Sequence, residues 1–202
     1  MKKSIGAILF CFLFAITVPA LALAGQSDAP GVQNSFSLEN GITWDWTKAD
    51  IIALEGEPDP DYMEETDAYQ ALYYAEKAVG ETQTGDMAIV LGNDGLAMIA
   101  YSLYGASDAD VAYFLDSLNA EYGAPAEPDM LRLIESMGVF GAEVSYEDYL
   151  EAAQDIVFEN WELDDGTYII LLKENDVEMD ALLLIAYINE ARIQSISAGI
   201  GE

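Results

Sequence analysis

The densest gathering of reactive groups in the chain is EPDPDYMEETD, residues 57–67, which brings together Glu57, Asp59, Asp61, Glu64, Glu65 and Asp67. A hard cation takes about six to eight oxygen ligands, and calcium is the ion that a loop of this composition would suit. Asp59, Asp61, Glu64 and Glu65 are the candidate ligands. Their order is not that of an EF-hand: no glycine stands at the sixth position of a loop begun at Asp59, and Gln70 occupies the place of the bidentate glutamate. LDDGTY, residues 163–168, fails the same test. A solvated acidic loop competes with the metal reading, and no other cofactor is suggested.

Carboxylates are also the only acid–base groups in quantity. A pair of them can hydrolyse a glycoside if one has a raised pKa and the spacing across a cleft is right. With 37 acidic residues any single pair is uninformative, and Asp45, Glu55, Glu159 and Glu162 fit solvated positions as well as catalytic ones. The chain contains no histidine, which excludes Ser-His and Cys-His nucleophile pairs and every histidine metal site. Its single cysteine, Cys11, lies in the apolar leader described below. S-x-x-K, G-K-[ST] and G-x-G-x-x-G are all absent. The expectation is a protein that is not an enzyme.

Aromatic side chains are the remaining binding groups. Trp44 and Trp46 flank Asp45, so on an extended segment both indoles face one way. Such a pair makes a sugar-stacking or protein-docking platform, or else seals a core against the helix that follows. Tyr69, Tyr73 and Tyr101, if they share a sheet face, form an interaction surface; the same residues would also suit a sheet covered by helices.

These residues must be positioned by the elements around them. Thr47 and Asp50 form a capping box before Ile51, Ile52 and Leu54, with Gly56 as the stop and Pro58 and Pro60 preventing resumption. Residues 66–79 fit both an alternating strand and a helical stripe; their tyrosines favour strand. GDMAIVLGNDGLAMIAYSLY is a hairpin with its turn at Asn93–Gly95, and GTYIILLKENDVEMDALLLIAYINE repeats the plan with a longer turn. The closing strands share L-x-x-I-A-Y, at Leu96–Tyr101 and Leu182–Tyr187. Ser107 and Asp110 box a further helix that Gly123 and Pro125 end, residues 128–137 and 145–154 read as helix, and residues 156–163 as a strand. The pattern predicts an α+β fold of two similar units, each a helix followed by a three-stranded antiparallel meander, with the helices packed on one face of the sheet. The units would span about 40–105 and 107–190; two unrelated hairpins drawing on the same residues are the alternative.

The entry segment GITWDWTKADIIALEG resembles the G-x-[ST]-xx-E-V-xxx-x-G entry helix of the small envelope domains of the SmpA/OmlA type. It is similar too to the tandem helix-plus-meander repeats of the secreted β-lactamase inhibitor proteins. LNAEYGAP resembles an L-xxx-YG-x-P helix ending common in secreted bacterial proteins of this general kind. The resemblance spans about residues 40–189 through short motifs. It implies a protein-binding role, exercised through a sheet face or its loops, without catalysis. Two features depart from these families: no cysteine is placed for lipidation, and residues 25–202 lack the cysteines that staple the inhibitor proteins.

Lys2, Lys3, the apolar run Ile5–Ala24 and the ending Ala22-Leu23-Ala24 have the form of a signal peptide over residues 1–24, with a retained anchor as the alternative. Residues 25–35 read as a flexible leader, and residues 36–202 as the folded domain. The expected location is secreted or periplasmic. The net charge is −30, and loss of Lys2 and Lys3 makes the rest more negative. Such a chain repels phosphate backbones and anionic membranes, so nucleic acid is an unsuitable partner and no membrane is bound after cleavage. The partner expected is a protein of unknown identity, and the charge suits a basic one. The alternative function is an acidic cation- or carbohydrate-binding surface protein.

Overall fold

The structure, a computed structural model, describes residues 35–38, 41–80, 83–126, 157–174 and 181–200. The expected signal peptide, most of the leader, and the helices expected at 128–137 and 145–154 lie outside the described residues. Seven strands and three α-helices make up the described fold. They run in the order α1 (Lys48–Glu55), β1 (Glu64–Glu65), β2 (Tyr69–Val79), β3 (Gln83–Gly92), β4 (Gly95–Tyr104), α2 (Asp108–Tyr122), β5 (Val157–Glu162), β6 (Thr167–Glu174), β7 (Leu182–Asn189) and α3 (Glu190–Ile200).

Local chemistry accounts for the helix ends. The Asp50 carboxylate accepts the Thr47 N–H at 2.8 Å, and the Asp50 N–H returns to the Thr47 hydroxyl at 3.4 Å. Ser107 and Asp110 repeat this box at the start of α2, at 2.7 and 3.3 Å. Gly56 and Gly123 close α1 and α2 at φ +86°, a conformation open to glycine at little cost.

All strands join one antiparallel sheet in the order β1-β2-β3-β4-β7-β6-β5. The two L-x-x-I-A-Y segments lie side by side at its centre. Ala100 stands opposite Ala186, Ile99 opposite Tyr187 and Tyr101 opposite Ile185. Antiparallel pairing of one short pattern with itself, in register at its alanine, gives each tyrosine a β-branched neighbour across the ladder. Aromatic and β-branched pairs of this kind favour the register.

The expected architecture of two helix-plus-meander units is therefore overturned. Residues 40–105 and 107–190 contribute to a single seven-stranded sheet in which strands predominate. The helices do not share a face either. Ile51 of α1 and Val111, Phe114, Leu118 and Tyr122 of α2 pack with Leu72, Ile89, Ile99 and Ile169 on one side. Ile193 and Ile196 of α3 pack with Val90, Met98, Ala186 and Ile188 on the other. Both sheet faces are apolar because β2, β3, β4, β6 and β7 bury side chains of both parities; a sheet covered on both sides needs near-continuous apolar strands.

One irregularity bears on the functional surface. Pairing of β2 with β3 jumps between Tyr74 and Lys77, leaving Ala75 and Glu76 as a bulge, and Glu76 adopts φ +55°.

Candidate functional site

The tryptophan pair lies in a strap that runs from Phe36 towards α1. Phe36 stacks on Trp44 with ring centroids 4.0 Å apart and tilts against Tyr187 at 5.5 Å. The Trp44 indole donates to the Thr167 hydroxyl at 2.8 Å. The Leu96 N–H reaches the carbonyls of Trp44 and Trp46 at 3.0 and 3.1 Å, and Arg192 of α3 donates to the carbonyls of Trp44 and Leu96 and to the Asp45 carboxylate. Trp44 is buried, and Trp46 packs half-buried on the same cluster. The indoles thus turn inward together, towards the core that carries α1.

The acidic loop disperses its carboxylates. Asp59 accepts the Asp61 N–H at 3.0 Å and starts a 3₁₀ turn, Pro60–Tyr62. Glu64 accepts the Tyr69 hydroxyl at 2.7 Å, and Glu65 pairs with Lys48 at 3.4 Å. Among the described residues no three carboxylate, cysteine or histidine side chains converge as metal ligands would.

The tyrosines divide between the faces. Tyr69 and Tyr73 lie on the side of α3, and Tyr101 lies on the side of α1 and α2. Burial, and secondarily the charge of Glu55, pushes the Tyr101 hydroxyl up to about 12. Tyr74 shares that side and is likewise raised to about 12 by burial and then by Glu55 and Glu57. Lys77 lies 5.0 Å above the Tyr74 ring and pairs with Glu55 at 2.9 Å.

A group that the sequence reading missed surrounds Asp86. This carboxylate accepts the Tyr73 hydroxyl in a short hydrogen bond, and its other oxygen faces the Glu76 N–H of the bulge at 3.4 Å. Tyr62, on the 3₁₀ turn, tilts against the Tyr73 ring at 5.2 Å. The turn is held on β2 by the Asp59 N–H donating to the Tyr73 carbonyl at 2.9 Å. Asp86 pairs with Ser102, so Tyr104, two residues further along β4, shares its face; the Tyr104 ring is 43% exposed. Burial raises the Tyr104 hydroxyl, as does the neighbouring Asp86 charge. Tyr73 is raised further, by burial and then by its bond to Asp86. Both phenols are therefore neutral at physiological pH. The one available sequence signal was Asp86 itself, a lone charge entering the apolar run MAIVL.

Elsewhere, a cleft of about 120 Å³ separates the β3–β4 turn from α3, lined by Asp67, Asn93, Asp94, Arg192 and Ser195. Its guanidinium is already engaged by the strap. The same holds for the other described cations: Lys48 pairs with Glu65, Lys77 with Glu55, Lys173 with Asp108 and Arg192 with Asp45. No described helix is long and apolar enough to cross a membrane.

Compared with protein-family models, with curated proteins and with solved structures, the chain matches none. The surface around Asp86 can offer a carboxylate and partly exposed aromatic rings to a positively charged group.

Proposed function

We propose that this chain is an exported, non-enzymatic module of the bacterial envelope or extracellular space that binds a basic protein. The observation that carries the reading is the state of its cations. Each described lysine and arginine is committed to a carboxylate within the chain, so the remaining described acidic surface has no counter-charge among the described residues. A surface of that kind steers and holds positively charged partners. Both sheet faces carry core clusters, so contact falls to the edge and loops, where Tyr62, Tyr104, Asp86 and the β2 bulge lie together. Export rests on the form of residues 1–24, and the absence of catalysis on the missing histidine and cysteine chemistry.

The test uses the C-terminally tagged full chain, mixed with envelope and culture-fluid protein from the native organism at low and moderate salt. The expected result is one stoichiometric basic partner retained at moderate salt. Retention only at low salt, of assorted basic proteins, overturns the reading, because screened surface charge alone would explain it.

A further inference from the structure

We propose that Asp86, with Tyr104 and Tyr62 beside it, forms a receptor for an arginine guanidinium presented by the binding partner. The inference rests on the protein-binding reading and assigns the chemistry of its contact. It stands first on position. Asp86 lies near the start of β3, and the β2 bulge opens the ladder opposite it. Regular pairing would place one residue of β2 across from Asp86; instead Ala75 and Glu76 share that place, and both are exposed. Bulges of this type re-aim side chains and recur beside binding sites. The positive φ of Glu76 is a conformation that a non-glycine residue rarely holds, and here its N–H points to the Asp86 carboxylate.

It stands second on the carboxylate's spare capacity. Each carboxylate oxygen has two lone-pair positions, and the hydrogen bonds found at Asp86 use one on each: the Tyr73 hydroxyl on Oδ2 and the Glu76 N–H on Oδ1. One position on each oxygen is left, and a guanidinium fork donates two parallel N–H bonds to such a pair. None of the four described cations takes them.

The third support is the aromatic surround. Tyr104 is 43% exposed on the face of Asp86, and Tyr62 leans on Tyr73 at 5.2 Å. A planar, weakly hydrated guanidinium stacks on such rings, whereas a lysine ammonium is a compact and strongly hydrated charge. Arginine is therefore the favoured occupant over lysine.

The test titrates the full chain with N-acetyl-arginine amide, followed by amide NMR shifts of Glu76 and Asp86. The neutral isostere N-acetyl-citrulline amide and the lysine analogue serve as controls. The expected result is weak saturable binding of the arginine probe, weaker binding of lysine, none of citrulline, and shifts confined to the bulge and the end of β4. Asp86→Asn keeps an acceptor for Tyr73 and should lower affinity about tenfold, the range for a charge-assisted hydrogen bond. Tyr104→Ala, at an exposed ring, should lower it about threefold. Shifts spread over the acidic surface, or unchanged binding in Asp86→Asn, overturn the receptor. A basic partner captured equally well by Asp86→Asn also overturns it while leaving the protein-binding reading standing. A specific arginine response with no protein captured supports the receptor and counts against the wider reading.

Discussion

Replacing Arg192 by methionine tests whether the strap is held by carbonyl hydrogen bonds or by the ion pair. Methionine keeps the aliphatic length and a comparable helix propensity, so α3 itself is little disturbed. The guanidinium donates to the carbonyls of Trp44 and Leu96 and to Asp45 at 3.1 Å. Hydrogen bonds from a charged donor contribute about 1.5–3 kcal/mol each. The Trp44 carbonyl also accepts the Leu96 N–H at 3.0 Å, so it is not orphaned by the change and its share falls at the low end. Asp45 is 92% exposed, and exposed ion pairs contribute about 0–1 kcal/mol. The expected loss for Arg192→Met is thus about 3 kcal/mol, the low end for two such bonds, against under about 0.5 kcal/mol for Asp45→Asn. Urea unfolding followed by tryptophan fluorescence reads the difference. At a slope of about 2 kcal/mol per molar, Arg192→Met lowers the midpoint by about 1.5 M and Asp45→Asn barely moves it. Equal losses in the two variants would refute the assignment, because the strap would then be held by charge.

Three further outcomes follow from the same geometry. Ala at Gly85 would bring its Cβ to 2.7 Å from the Ser102 carbonyl, between two inner strands; a loss of about 1–3 kcal/mol is expected in urea unfolding, and a neutral result would show that β3 and β4 can part there. Ser107→Ala removes the acceptor that caps α2 and should cost about 1 kcal/mol. Ser107 also holds the Asp110 carboxyl below its ordinary range, so that contribution is present above the ordinary carboxylate pKa and disappears as pH falls; the variant should lose less stability on acidification than the parent. At high pH the sign reverses. Tyr74 and Tyr101 ionise at about 12 in the fold and at about 10 in an open chain, so their contribution is full below about pH 10 and is lost as pH rises through about 12. Tyrosinate absorbance should therefore lag in these two until circular dichroism reports unfolding; complete titration near pH 10 with a native spectrum contradicts their burial.

Much of the local structure was legible because it is encoded within a few residues. Thr47 with Asp50 and Ser107 with Asp110 announce helix starts by a side chain that must reach the third residue on, and Asn93-Asp94-Gly95 announces a turn by its backbone freedom. Sheet order was not encoded at that range. The motif at Leu96–Tyr101 reads as the end of one unit and that at Leu182–Tyr187 as the end of another, yet besides their hairpin partners they pair with each other. α3 escaped notice because it follows β7 directly: its cap, Asn189, which accepts the Arg192 N–H at 3.2 Å, is also the last residue of the strand, and only Ile193 and Ile196 mark its buried side. Its place is what distributes the helices over both faces. Of the candidate site residues, Tyr73 gained a partner that no spacing rule connects, Asp86, thirteen positions away across a ladder and a bulge. Tyr101 fell on the opposite face for the plain reason that register, not composition, assigns parity.

The bulge also explains why contact at this edge should run through side chains. Among the described residues, β2 beyond its short pairing with β1 presents an edge at Ala75–Val79, where an incoming strand could extend the sheet. A bulge at Ala75–Glu76 breaks the repeat of donors and acceptors, and the charges of Glu76 and Lys77 make the edge unwelcoming to apolar strands. Lys77 is drawn to Glu55 on one side of the sheet, while Asp86 lies half-buried on the other. The same distortion that protects the edge against strand addition therefore leaves an acidic, tyrosine-flanked surface beside it. A partner that exploits this edge is selected by the charge and planarity of a side chain, and backbone pairing contributes little to its affinity.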